Sequence, residues 1–257
     1  GAADITSLLT ASDIDIGDTL TWSIVSGPSN GTLGGFDTTD TSTGGSVTPT
    51  GLTYTSNADY NGTDSFTIQI SDGTVTDTID VTMTIDPTND AVTFDNGATA
   101  GLTINEDSGA ADITSLLTAS DIDVGDTLTW SIVSGPSNGT LGGFDTTDTS
   151  TGGSVTPTGL FYQPAVHYNG GDGFIIRVSD GSSQDDIAIN VTVNPVNDAP
   201  VISAIADQSL DQDKTLGGIS ITVSDIDSTL ASLIISGTSD NQQLLPDGNI
   251  SVIGTGA

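Results

Sequence analysis

The 257-residue chain contains no cysteine, so no disulfide framework holds it. Basic residues are nearly absent as well: Arg177 and Lys214 stand against 34 acidic side chains. A surface of that sign repels phosphate and excludes nucleic acid as a partner. Histidine occurs once, as His167, and with no cysteine beside it zinc has too few ligands. No run of about 18 apolar residues occurs, so no segment spans a membrane as a helix. Glutamate is almost missing too, Glu106 being the only one. Acidity for solubility or high salt would draw on both acids. Aspartate is the short acid of turns and of oxygen-ligand cation sites. An apolar fraction of 34% and a formal charge of −32 would suit a disordered chain, were the apolar residues not so regularly placed.

The regularity begins with a repeat. Asp13-Ile14-Asp15-Ile16-Gly17-Asp18 returns as Asp121-Ile122-Asp123-Val124-Gly125-Asp126, an offset of 121 − 13 = 108. Residues 1–52 and 109–160 differ only at Ile16/Val124, and a shortened Asp225-Ile226-Asp227 follows. The register holds through Tyr54/Tyr162, Phe66/Phe174 and Asp72/Asp180. Such self-similarity marks a tandem array. Three modules are expected: 1–88, with its N-terminal strand missing, 89–196, and a divergent, incomplete 197–257. Their boundaries fall at Asp86-Pro87-Thr88-Asn89-Asp90 and Asn194-Pro195-Val196-Asn197-Asp198, where proline ends a ladder and stiffens the connector.

Within a module the hydrophobic period is two. Leu128, Trp130 and Ile132 alternate with Thr129 and Ser131, as do Phe66, Ile68 and Ile70 with Thr67 and Gln69. Ile79, Val81, Met83 and Ile85 form a third such run. Each reads as a half-buried β-strand, and no amphipathic helix is evident. Ser71-Asp72-Gly73 and Ser179-Asp180-Gly181 read as hairpin turns. The Gly34–Thr50 stretch and its copy Gly142–Thr158 read as a long surface loop or loose edge. About seven short strands per 100 residues predict an all-β fold of tandem immunoglobulin-like sandwiches in an elongated array.

Asn105-Glu106-Asp107, Asp-x-Asp, Tyr-Asn-Gly-x-Asp-x-Phe, Val-Ser-Asp-Gly and Val-Asn-Asp-Ala-Pro, in that order, resemble the bacterial cadherin-like tandem repeats of large calcium-dependent surface adhesins. The resemblance implies Ca2+ between modules and a spacer or adhesive role outside the cell, at the bacterial surface. Strand order then assigns the ligands. If Ile113–Thr118 and Leu128–Ile132 are the second and third strands, Asp121 and Asp123 lie at the end facing the preceding module. The first junction would gather Asp64, Asn89, Asp90, Asp121 and Asp123. The second would gather Glu106, Asp172, Asn197, Asp198, Asp225 and Asp227. In an extended Asp-x-Asp stretch both carboxylates face one way, with Ile14, Ile122 and Ile226 anchored in the core. A hard cation with six to eight oxygen ligands reverses the repulsion.

Other residues read more plainly. Asp37, Asp72, Asp145 and Asp180 are turn formers, Trp22 and Trp130 are core, and His167, whose counterpart is Asp59, is a surface residue. Asp18 and Asp126 stand between turn and ligand. The hexapeptide fails as an EF-hand, with glycine at position five rather than six. No reactive constellation recurs in both copies, so a non-enzymatic, calcium-stiffened extracellular repeat is expected. The alternatives are a module binding polysaccharide or copies of itself, or a filament subunit that exchanges strands.

Overall fold

The computed structural model describes residues 1–36, 38–144, 146–214 and 216–254. The expected turns at Asp37 and Asp145 lie outside the described residues. The chain divides into two compact units. One holds Gly1–Ala91 with the loop Asp121–Gly125 and Thr151–Gly153; the other holds Val92–Ser120, Asp126–Ser150 and Ser154 onward.

The first repeat contributes strands Ala3–Asp4 (β1), Ala11–Ser12 (β2), Thr19–Ser26 (β3), Gly31–Gly34 (β4), Thr38–Thr41 (β5), Ser46–Val47 (β6), Thr53–Ser56 (β7), Gly62–Ser71 (β8) and Thr76–Ile85 (β9). The second contributes Thr93–Phe94 (β10), Thr99–Asn105 (β11), Ala111–Asp112 (β12), Ala119–Asp121 (β13), Thr127–Ser134 (β14), Gly139–Gly142 (β15), Thr146–Thr149 (β16), Gly153–Val155 (β17), Phe161–Pro164 (β18), Gly170–Ser179 (β19) and Gln184–Asn194 (β20). Beyond them, Val201–Ile202 (β21) pairs with Val223–Ser224 (β22).

In the first repeat the main sheet runs β5-β3-β8-β9, beside a β1-β7-β4 sheet and a β2-β6 pair. The second has a five-stranded sheet, β11-β20-β19-β14-β16, with β12-β18-β15 and β10-β13-β17 beside it. In the five-stranded sheet β16, β14, β19 and β20 run antiparallel to their neighbours, while β11 runs parallel to β20. The alternating runs do what period two dictates. Leu128, Trp130, Phe174, Ile176, Ile187 and Ile189 point into one core with Tyr162 and Phe94 from the smaller sheets. Leu20, Trp22, Phe66 and Ile68 do the same in the first unit with Ile5, Leu52 and Tyr54. Trp22 and Trp130 are buried, and their indole N–H groups donate to the carbonyls of Leu9 and Leu117 at 2.9 and 2.8 Å.

Three local expectations are corrected. Ile113–Thr118 is not a strand: Thr114–Leu116 is a 3₁₀ turn between β12 and β13. It carries Ile113 and Leu117 into the core, a spacing of four that belongs to a helical turn and not to a ladder. The Gly34–Thr50 segment is neither one long loop nor loose. It forms β5 and β6 and buries Ser42 and Val47. Its bend depends on Gly35, at φ +79°, where a Cβ would lie 2.3 Å from the Gly51 carbonyl oxygen. The third correction concerns the isoleucines of the Asp-x-Asp loops, which are exposed at 85% for Ile14, 47% for Ile122 and 59% for Ile226.

Candidate functional site

The reason for those exposed isoleucines is a turn. The first aspartate of each loop accepts the N–H two residues on: Asp15 N–H to Asp13 Oδ1 at 2.9 Å, Asp123 N–H to Asp121 Oδ1 at 3.0 Å, and Asp227 N–H to Asp225 Oδ1 at 2.9 Å. This side-chain turn bends the stretch, so the extended-strand argument fails and the first carboxylate faces inward instead. Asp121 is only 2% exposed. Asp13 Oδ2 is a buried oxygen to which none of the described residues donates a hydrogen bond.

The Gly34–Thr50 segment holds this turn in shape. Ser42 N–H donates to Asp18 O at 2.8 Å, Gly17 N–H to Ser42 O at 2.9 Å, and Ser42 Oγ to Asp13 O at 3.1 Å. The copy repeats the first contact, Ser150 N–H to Asp126 O at 2.8 Å. One ligand atom from each of Asp13, Asp15 and Asp18 lies within 4.8 Å of the others, and the same holds for Asp121, Asp123 and Asp126. Two unit charges at that separation repel by about 3.5 kcal/mol at an effective dielectric near 20. The donor set is all carboxylate, which fits a hard cation such as Ca2+.

The connectors meet these loops through the backbone. Asp90 N–H donates to Asp123 Oδ2 at 2.6 Å, and Asp198 N–H donates to Asp227 Oδ2 at 2.5 Å. In both, the preceding asparagine folds back, with Asn89 Nδ2 donating to Asp90 O and Asn197 Nδ2 to Asp198 O. The structure thus brings Asp90 to Asp123 and Asp198 to Asp227, with Asn89, Asn197, Asp121 and Asp225 within two residues of them in sequence.

Glu106 is 2% exposed and reaches the second connector directly, accepting the Val196 N–H at 2.7 Å and the Asn169 amide at 3.3 Å. Asp107 and His167, outside the expected ligand set, join here. His167 Nδ1 lies 2.9 Å from Asp198 Oδ2 and 3.2 Å from Asp107 Oδ2. Desolvation acts to lower the imidazole pKa, but the charges of Asp107 and Asp198 outweigh it and hold it above the usual value. Both Asp107 and His167 sit at φ 56°. The sequence signal was Asp107 itself, the last residue of the Asn-Glu-Asp motif.

Asp64 and Asp172 are placed differently. The Asp64 carboxylate accepts N–H bonds from Ser29 at 3.0 Å, Asn30 at 2.9 Å and Ser65 at 2.9 Å, and the Tyr54 hydroxyl at 3.0 Å. Asp172 repeats this with Ser137, Asn138, Gly173 and Tyr162. Desolvation raises both carboxyl pKa values, yet these donors outweigh it and leave both below the usual carboxylate range. Burial and the Asp64 charge push Tyr54 up to about 12. Both carboxylates act as struts tying a turn to the first residues of β8 or β19.

A family model described as a bacterial Ig domain matches residues 1–84 and 89–194. No curated protein matches the chain. Among solved structures, repeats EC21–23 of human CDH23 are similar at 20% identity, covering 86% of this chain and 78% of that one, with a TM-score of 0.47. Human protocadherin-24 EC1–2 is similar at 18% identity, covering 69% and 82%, with a TM-score of 0.40. The glycoside hydrolase family 107 endo-fucoidan hydrolase MfFcnA4 is similar at 21% identity over 70% of this chain, with a TM-score of 0.31. The chain spans 24% of the length of that hydrolase.

Proposed function

Since the chain belongs to the bacterial Ig domain family, in two tandem copies, we propose that it is a non-enzymatic extracellular repeat segment. Its Asp-x-Asp loops and Asn-Asp connectors bind Ca2+ and so fix one module against the next, as in a rod or fibre at a bacterial surface. The observation that carries this reading is a repeated contact. Twice, the connector aspartate donates its N–H to the second aspartate of the following Asp-x-Asp loop, Asp90 to Asp123 and Asp198 to Asp227. A loop that must open as modules flex has no reason to be tied to the connector at the same atom in both places.

The chain's own residues supply what such an ion requires. Asp121, Asp123, Asp90 and Asn89 would hold it at one connector, and Asp225, Asp227, Asp198, Asn197 and Glu106 at the other. Asp13, Asp15 and Asp18 form the same carboxylate cradle at the start of the chain. Bound calcium supplies the positive charge against which these carboxylates cease to repel. Arg177 is engaged elsewhere, in a bidentate pair with Asp186 at 2.7 and 2.8 Å. His167, the single histidine, is held between the carboxylates of Asp107 and Asp198.

Small-angle scattering and thermal melting in millimolar CaCl2, then in excess EGTA, test the proposal. Calcium is expected to raise Tm and to narrow the distribution of particle lengths, and EGTA to reverse both. Identical curves in the two buffers would overturn it.

A further inference from the structure

One cluster in the second unit differs in chemistry from the all-carboxylate cradles, because it contains a nitrogen donor. One ligand atom from each of Asp107, His167 and Asp198 lies within 4.8 Å of the others. The three come from separate stretches: the turn after β11, the turn before β19 and the connector after β20. Their side chains are 33–40% exposed, so an ion reaches them from solution and water completes its shell.

The imidazole sits at the centre of the group, with Nδ1 at 2.9 Å from Asp198 Oδ2 and 3.2 Å from Asp107 Oδ2. Nδ1 carries one hydrogen at most, so it cannot serve both carboxylates fully. An ion with bonds of about 2.0–2.2 Å holds neighbouring ligand atoms about 3–3.5 Å apart and meets all three at once. The spacings around Nδ1 are close to that size. Asp107 keeps its other oxygen occupied, Oδ1 accepting the His167 backbone N–H at 3.0 Å, and this leaves Oδ2 for the ion. Histidine and cysteine alone give zinc too few ligands. The fold adds two carboxylates, and three protein ligands with water in the fourth position suffice for an open zinc site.

The repeat isolates the nitrogen as the difference. Asp59 stands where His167 stands, at φ 58° against 56°, so the two repeats differ there in donor atom and share a backbone. Oxygen at that position suits Ca2+, whereas imidazole suits Zn2+, Ni2+ and Cu2+. We propose that Asp107, His167 and Asp198 form a binding site for a divalent transition-metal ion of the Zn2+ class. The ion ties the connector at Asp198 to the module it leaves, at the end of β11 and the turn before β19. The site does not rest on the calcium reading: Asp107 and His167 lie outside that ligand set, and only Asp198 is shared.

NMR of the 15N-labelled, chelator-free full chain tests this directly, since a single histidine gives a single pair of ring nitrogen signals. One equivalent of Zn2+ is expected to move the Nδ1 resonance to its metal-bound position, and millimolar CaCl2 is not. By calorimetry, His167→Gln, His167→Asp and Asp107→Asn each bind Zn2+ at least tenfold more weakly than the wild type. His167→Asp places there the residue that the first repeat already carries on the same backbone, so one variant folds even if the others do not. An Nδ1 resonance that Zn2+ leaves in place, or equal Zn2+ affinity in wild type and His167→Asp, overturns the proposal. Calcium titration of the wild type reports on the calcium reading alone, so the two fail separately.

Discussion

The Tyr162 hydroxyl donates to Asp172 Oδ2 at 2.9 Å, from a ring that stacks on Phe174 with centroids 5.7 Å apart. Tyr54, Asp64 and Phe66 repeat the arrangement at 3.0 and 6.0 Å. The pair joins a core aromatic to a charged strut. Replacing Asp172 by alanine strands the buried Tyr162 hydroxyl and removes the acceptor of the half-buried Asn138 N–H, and an unsatisfied buried donor costs about 1–3 kcal/mol. Asp172→Ala and Asp64→Ala are each expected to lower unfolding free energy by more than about 2 kcal/mol, read by urea denaturation followed through Trp130 and Trp22.

The same struts set an acid limit. Their folded-state pKa values lie below the unfolded ones. The stability they contribute is therefore present above the unfolded value and is lost as pH falls through the folded one. Tm of the wild type is expected to hold from neutral pH down to about pH 5 and to drop below it. In Asp64→Asn/Asp172→Asn the drop is shallower, and the gap from wild type closes in acid. A gap that is constant with pH would count against the ionised strut.

The proposed calcium binding, at the affinity usual for extracellular modules of about 10⁻⁴–10⁻³ M, predicts a modest linkage. With a Kd near 0.5 mM, 10 mM Ca2+ adds about 1.8 kcal/mol per site. Asp123→Asn and Asp227→Asn each remove a carboxylate that a connector N–H already meets. Each variant is expected to lose part of the calcium-induced rise in Tm while keeping its Tm in EGTA within a few degrees. Isothermal titration counts the sites lost.

Trp130→Phe removes the indole N–H bond to the Leu117 carbonyl and leaves a small cavity. About 1–3 kcal/mol of destabilisation is expected, and Trp22→Phe should match it, since the Leu9 contact is the same. Differential scanning calorimetry of the two variants checks the equivalence.

The long strands were legible because Leu128, Trp130, Phe174 and Ile176 declare period two against Thr and Ser, and the repeat showed each run twice. The Ile113–Leu117 turn was not, because a five-residue span with buried ends fits strand or helix equally. Ser42 and Val47 were missed for a different reason. A Gly-, Thr- and Ser-rich segment carries almost no hydrophobic signal, and its order comes from hydrogen bonds to Asp13, Gly17 and Asp18. Asp64 and Asp172 illustrate the same limit. Residue type marks a carboxylate, while its role depends on which donors the fold brings to it. His167 beside Asp107 and Asp198 could not be foreseen from spacing, since 60 residues separate it from Asp107 and 31 from Asp198.

The parallel union of β11 and β20 joins nearly the first and the last strand of the second repeat. Traction applied through the preceding and following chain pulls these two strands lengthwise past each other. Their cross-links, from Thr99–Ala188 to Asn105–Asn194, then load together in shear and do not open one after another. A repeat closed in this way withstands tugging far better than a hairpin peeled from its end.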